Sequence, residues 1–263
     1  MNNEKKILSQ EECLATILKN VNSGYETSFI RKGDGENIII GYRTLNKVSF
    51  FKYRKKLVHF NISIWDISFQ KFIREELIKA CKSASILGIS LLEHRHGFWS
   101  IEESIIKELS LSDIQFGDVN FHMGFIKIPF QKKLLNPIAE EIITNRKIGI
   151  IGHPNVDEFL HNYNSQVIIK LEIPKRRSKF QRMSRKKYDA ILLDIANINH
   201  HLDIWLVAAG AYAKPFCEYI RKIGGIGIDI GSSLDTWGNE YHSRGHLRKI
   251  YKQYEMKQNS LSV

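Results

Sequence analysis

Arg31-Lys32-Gly33-Asp34-Gly35-Glu36 sets two carboxylates two residues apart, with a glycine on each side of the first and an arginine close by. Carboxylates in a glycine-bracketed loop are oxygen ligands suited to a hard divalent cation. An arginine fork beside them suits a phosphate, and Gly33 and Gly35 let the backbone approach such a ligand closely. The segment is expected to be extended, so that Asp34 and Glu36 share one face. A cation site beside a phosphate partner is the pairing that nucleotide-sugar chemistry uses. A sugar leaves a nucleoside diphosphate once the charge growing on the β-phosphate is neutralised. The plain alternative is a surface turn, for which Gly-Asp-Gly is ordinary chemistry.

Positioning these groups requires a scaffold, and the apolar pattern outlines one. Ser9 ahead of Glu11 and Glu12 reads as a helix start, with Cys13, Leu14, Ile17, Leu18 and Val21 following at helical spacing. A strand over 27–31 delivers the acidic motif. Helices are predicted over 69–78, 101–109 and 134–143. Extended segments are predicted over 85–89, 114–122 and 147–151, with short aliphatic runs at 167–171 and 190–193. The stretch 204–223 reads as one helix that Pro215 kinks or restarts. Gly224-Gly225 ends it, and 226–230 is a last strand. This alternation predicts an α/β fold: a mostly parallel, Rossmann-like sheet with helices on both faces. It is read as a single domain over 1–263, with a basic insertion near 172–187 and a basic tail over 244–263.

Open parallel sheets bind ligands beyond the carboxyl ends of their strands. The polar residues there form a candidate rim: Asp34, Glu36, Ser90, Glu93, His153, Asn155, Asp194, Asn197, Asp229, Ser232, Ser233 and Asp235. So many carboxylates suit a metal and diphosphate better than a nucleobase, although some strand-end acids only cap helices. Asp235, Glu93, His153 and Asp194 are the candidates for a general base. His94-Arg95-His96 and His200-His201 lack a nearby third ligand and read as polar loops. Trp99 and Trp237 suit either a sugar-stacking role or the core.

The 263 residues carry a formal net charge of +11, with 43% hydrophobic and 25% charged side chains. That is a globular composition with a preference for anionic partners. Eight basic residues and no acid fall between Lys175 and Lys187, and Arg244, Arg248, Lys249, Lys252 and Lys257 make a second cluster. These clusters are read as solvated segments or as contacts to an anionic membrane surface. Phe180 is alone in the first cluster, too few aromatics for base stacking, so nucleic acid is not the expected partner. Behind Lys5 and Lys6 there is no long apolar run, and no window has the roughly 18 apolar residues of a membrane span. Three widely spaced cysteines, Cys13, Cys81 and Cys217, suit a reducing compartment. The expected location is therefore the cytoplasm, including the inner face of the membrane.

Two separated segments resemble one known family. SFIRKGDGE is similar to the Arg-x-Gly-Asp-Gly-Glu signature of GT-D type bacterial glycosyltransferases, whose acids form a DxE motif. Leu206 to Trp237 is similar to that family's late pattern: an apolar strand, a Gly-x-x-Ala-Lys turn, a helix, and an Asp-Ile-Gly strand end followed by another Asp. Together the matches cover roughly one-sixth of the chain. The resemblance implies a Rossmann-like glycosyltransferase using a nucleotide-diphosphate sugar donor and a divalent metal, Mn or Mg. It implies metal and donor-diphosphate roles for Asp34 and Glu36, with Arg31, Gly33 and Gly35 in the same signature. Gly210 and Lys214 match the late turn, and Asp229, Gly231 and Asp235 match the strand end. Family members often carry a histidine where this chain has Ser232, and His242 or His246 is a candidate substitute. The implied reaction moves a sugar to a glycan, glycoprotein or lipid-linked acceptor in surface polysaccharide or glycoconjugate synthesis. The alternative is a basic nucleic-acid-binding or membrane-surface-binding α/β protein without catalysis. An Asp-nucleophile phosphatase fits poorly because Asp34 is followed by Gly-Glu-Asn. A methyltransferase fits poorly because Ser232-Ser233-Leu234 replaces the later glycines.

Overall fold

Ser9 starts the first helix, α1 (Gln10–Ser23), through a capping box. Its hydroxyl accepts from the Glu12 N–H at 3.2 Å, and the Glu12 carboxylate accepts from the Ser9 N–H at 2.8 Å. Cys13, Leu14, Ile17 and Val21 then recur on one face and are buried. The computed structural model of the chain describes residues 6–43, 45, 48–90, 99–152, 156–174 and 181–260. The following elements are β1 (Thr27–Arg31), α2 (Asp34–Gly41), α3 (Phe50–His59), α4 (Ile67–Ser83), β2 (Ile86–Ile89), α5 (Trp99–Glu108) and β3 (Gln115–Asp118). Then come α6 (Pro137–Ile143), β4 (Lys147–Gly152), α7 (Asp157–His161), β5 (Gln166–Glu172), α8 (Arg185–Ile198) and β6 (Ile204–Val207). The last are α9 (Ala213–Lys222), β7 (Ile226–Asp229), α10 (Ser233–Trp237) and α11 (Gly245–Ser260).

The seven strands form one sheet in the order β3-β2-β1-β7-β6-β4-β5, with every named pairing parallel. Parallel strands need helical crossovers, which cover both faces and leave β1, β6 and β7 almost wholly buried. Alternate strand residues feed two apolar layers. Ile30 belongs to the layer that includes side chains of α2, α4, α8 and α9, while Phe29 belongs to the layer that includes α1, α6 and the turn at 119–125. From β1 the chain runs outward to β2 and β3, then returns on the other side through β4 to β7. The order therefore reverses between β1 and β7, and at such a switch point the two connections part and open a crevice at the strand ends.

Three local expectations are corrected. Asp34 to Gly41 is a helix, not an extended segment, with Gly33 at its N-cap. It is buried nearly all round, so its three isoleucines give no amphipathic signal. The stretch 204–223 is a strand, a tight turn at 210–212 and then α9, so Pro215 sits in the first turn of a new helix, where its missing N–H costs nothing. The run 190–193 lies inside α8, which buries Tyr188, Ile191 and Ile195 at helical spacing. The extended reading of 114–122 holds for β3 and then gives way to a 3-10 turn over Val119–Phe125.

Candidate active site

The floor of the crevice is a buried lysine held by two carboxylates. Lys214, in the first turn of α9, places Nζ 2.9 Å from Glu36 Oε1 and 2.9 Å from Asp229 Oδ2, and donates to the Gly210 carbonyl at 3.0 Å. All three ammonium protons are thus used. Glu36 Oε2 accepts from the Gly33 N–H at 3.2 Å, and Asp229 Oδ1 accepts from the Gly231 N–H at 3.1 Å. Burial alone would raise the Glu36 carboxyl, but the Lys214 charge and hydrogen bond outweigh it and hold it below its ordinary value. Burial would likewise lower Lys214, and Asp229 and Glu36 reverse that and raise it. By formal charge the floor sets two carboxylates against one ammonium.

Arg31, at the end of β1, supplies the balancing charge. Its backbone N–H reaches Asp229 Oδ2 at 3.4 Å, and its Nε donates to the Val119 carbonyl at 2.8 Å. The guanidinium passes so close over Gly231 (φ +50°) that a Cβ there would collide with it. Glycine at 231 is thus required by the backbone and by the arginine above it. Arg244, ahead of α11, also lines the crevice and is half-buried. Burial and the Arg31 charge lower its pKa against the pull of Glu36. Ser232 Oγ lies 3.3 Å from His246 Nε2, so of the two candidate histidines it is His246 that sits beside Ser232.

Asp34 and Glu36 do not act as a pair on one face. At positions one and three of a helix they diverge: Glu36 is buried on Lys214, whereas Asp34 is exposed and pairs with Lys56 Nζ at 2.6 Å. Among the described residues no group of three or more His, Cys, Asp or Glu side chains could hold a metal alone. The donor set nevertheless fits a cation shared with a ligand. Magnesium is commonly held by one or two carboxylates plus substrate phosphates and water. Asp34 is the carboxylate of the motif free to take that part, because its surface pair with Lys56 is weak.

Two cavities join above this floor. One, of about 510 Å³, is lined by Arg31, Gly33, Asp34, Glu36, Lys214, Asp229, Gly231, Ser232, His122 and Arg244. The other, of about 350 Å³, is lined by Asn61, Ile173, Pro174, Ala209, Tyr212 and Glu240. His59, Phe60, Ala208, Gly210, Asp235 and Arg244 border both. The first chamber is strongly charged, whereas the second adds an apolar wall of Phe60, Ile173, Pro174 and Ala209 to polar groups such as Asn61 and Glu240. Phe60 lies between them because Gly35 and Gly210 present no side chain: a Cβ at Gly35 would be 2.6 Å from Phe60 Cζ, and one at Gly210 would be 3.1 Å from Phe60 Cδ1. Gly210 also has φ +58°, which glycine takes without strain. Asp235, half-buried at the junction, accepts from Ser243 Oγ at 2.7 Å.

Arg31, Gly33, Asp34, Glu36, Gly210, Lys214, Asp229, Gly231, Ser232 and Asp235 therefore converge on one crevice, while Gly35 lies beneath Phe60. Asp194 and Asn197 do not belong to the rim, since both are exposed on α8. Glu93, His94 to His96, His153, Asn155 and the basic cluster at 175–180 lie outside the described residues. Trp237 is a core residue whose indole N–H donates to the Phe125 carbonyl at 2.7 Å. Sequence reasoning missed Arg244, Phe60 and His122. His122 closes the segment read as extended, so the strand-end rule would have found it. Its ring is buried, Nδ1 has no partner among the described residues, and burial with the Arg31 charge keeps it well below its ordinary pKa. A second buried lysine also went unnoticed: Lys32 Nζ meets Glu102 Oε1 at 2.9 Å and Asn37 Oδ1 at 2.8 Å.

The sequence model of the GT-D-like family, described as a GT-D fold-like domain, matches residues 8–237. The chain belongs to the GT-D-like family. Three solved structures resemble this GT-D-like chain. A selenomethionine-substituted domain of unknown function 1792 is 16% identical, with a TM-score of 0.55, covering 91% of this chain and 81% of that one. A second structure, described as that domain with a distinct glycosyltransferase fold, is 16% identical with a TM-score of 0.54, covering 97% and 83%. A third, described as a new glycosyltransferase from Streptococcus sanguinis, is 15% identical with a TM-score of 0.54, covering 90% and 84%. No curated protein matches the chain. At these identities the structures establish a glycosyltransferase-type, Rossmann-like α/β fold. Among the described residues no helix is long and apolar enough to cross a membrane.

Proposed function

We propose that this GT-D-like protein is a metal-dependent glycosyltransferase of the hexosyltransferase type, drawing on a nucleotide-diphosphate sugar. Its acceptor is a glycan, glycoprotein or lipid-linked molecule of surface polysaccharide or glycoconjugate synthesis, used in the cytoplasm or at the inner membrane face. One observation carries the reading: a charged chamber joins one with a partly apolar wall at the β1/β7 switch point of a glycosyltransferase-type fold. The nucleoside suits the partly apolar chamber, where Phe60, Ile173 and Pro174 offer ring and aliphatic surface. The buried Tyr212 hydroxyl, unpartnered among the described residues, offers a hydrogen bond to its polar edge. The diphosphate suits the other chamber, between Arg31 and Arg244.

Departure of the sugar leaves charge on the diphosphate, and preorganised cations stabilise that charge as it forms. Arg31 and Arg244 supply it directly. Lys214 has no proton to spare and instead holds the Glu36 and Asp229 carboxylates in place beneath Arg31. Asp34 would help to hold a divalent Mn or Mg ion, which would supply Lewis-acid neutralisation of the departing diphosphate. Asp235, oriented by Ser243 at the junction of the chambers, accepts the acceptor hydroxyl's proton.

A panel of nucleotide sugars assayed for nucleoside diphosphate release, with Mn, Mg or chelator, tests this reading. Asp235→Asn should lower kcat about 10²–10⁴-fold at unchanged donor affinity, the usual share of a general base. Asp34→Asn should lose the response to metal. No turnover or binding with any donor, together with steeply salt-dependent nucleic-acid binding, would instead favour the non-catalytic alternative.

A further inference from the structure

Helix α3 is amphipathic in an unusual sense, since the face it turns outward is itself apolar and cationic. Tyr53 and Leu57 bury one side. On the opposite side Phe51, Arg54, Lys55 and Val58 fall at helical spacing of three and four, with Phe51 79% and Val58 53% exposed. Together with His59 they line a shallow cavity of about 370 Å³. The helix sequence, FFKYRKKLVH, contains five basic residues, counting histidine, and no acid. Phe50 lies beside Phe51 with ring centroids 6.2 Å apart, and the Arg54 guanidinium stands 5.5 Å over the Phe50 ring. Aromatic and aliphatic groups interleaved with lysine and arginine are the composition of a helix that lies in a membrane interface. The helix also ends at the crevice, where His59 borders both chambers and Lys56 pairs with Asp34.

We propose that the outer face of α3 docks on an anionic lipid surface and so brings a lipid-linked acceptor to the mouth of the crevice. This rests on the transferase reading for the acceptor, but the docking has its own chemistry. Phe51 and Val58 enter the headgroup boundary while Arg54 and Lys55 meet lipid phosphates. Each basic residue at such a surface strengthens binding roughly fivefold. None of the four residues touches the floor of the crevice, so donor chemistry is independent of them.

The test is co-sedimentation of the full chain with vesicles of phosphatidylglycerol and phosphatidylcholine, or of phosphatidylcholine alone. Wild type should partition onto the mixed vesicles only. Phe51→Ser/Val58→Ser and Arg54→Gln/Lys55→Gln should each fall at least tenfold in vesicle affinity. Both variants should keep wild-type circular dichroism and wild-type nucleoside diphosphate release. Equal partitioning of wild type onto both vesicles overturns the proposal, as does unchanged binding by Phe51→Ser/Val58→Ser. So does a dimer in solution that only that variant converts to monomer without loss on vesicles, which would assign the face to a second copy. Failure of the transferase reading appears elsewhere, as absence of nucleoside diphosphate release by wild type.

Discussion

Two buried lysines hold consecutive residues of helix α2, and they differ in what lies above them. Lys32, at the end of β1, bonds Asn37 and pairs with Glu102, whose other oxygen accepts from the Ser90 N–H at 3.2 Å. One cation meets one anion, and the cluster closes on protein. Lys214 bonds the neighbouring helix residue, Glu36, but holds Asp229 as well. That cluster carries one surplus negative charge, which Arg31 balances from the crevice side. Burial of charge is thus common to both, whereas an unequal count open to a cavity belongs to the candidate site alone.

The comparison breaks first at Lys214. Lys214→Met strands two buried carboxylates, so the expected loss is at least about 3–5 kcal/mol in urea unfolding, with donor binding lost as Arg31 is freed. Lys32→Met strands one carboxylate that keeps the Asn37 and Ser90 donors, and about 3 kcal/mol is expected, with KM for the donor unchanged in the folded fraction. Equal losses of stability and of donor affinity in the two variants would erase the distinction drawn between the clusters.

A milder cut sharpens it. Glu36→Gln should cost about 1–3 kcal/mol at neutral pH by weakening one bond to Lys214. Glu36 sits below its ordinary value of 4.5 in the folded protein, so its contribution is present above that value and lost as pH falls through the lowered one. Stability measured against pH should therefore lose part of its acid limb in this variant. Lys214 is raised above 10.5, so its contribution is complete below that value and lost as alkaline pH passes the raised one. That alkaline loss should remain in Glu36→Gln, reduced, because Asp229 stays. The smallest effect on folding belongs to Asp34→Asn, which breaks only a surface pair and should change stability by no more than about 1 kcal/mol.

Much of this arrangement was legible in the chain. Arg31 stood out beside the acidic motif, and the rule that ligands gather beyond strand ends picked out Glu36, Asp229 and Asp235. The alternation of elements predicted the parallel sheet, whereas the strand order that joins these residues came from the fold. The helical character of Asp34–Gly41 was not legible, because a helix buried on every side shows no period. Ile204–Val207 escaped for the related reason that a fully buried strand joined to a helix by a short turn reads as one apolar run. Lys32 and Lys214 look alike in sequence to any exposed lysine. Only the fold, by supplying their partners from residues 70 positions away or through a crossover, reveals them as buried.

Phe60 follows α3 without a break and closes over Gly35 in α2 and Gly210 in the turn after β6. The ring is a shared ceiling for both chambers. Any tilt of α3 would accordingly change the headroom of both chambers at once, which makes this helix a lever as well as a surface.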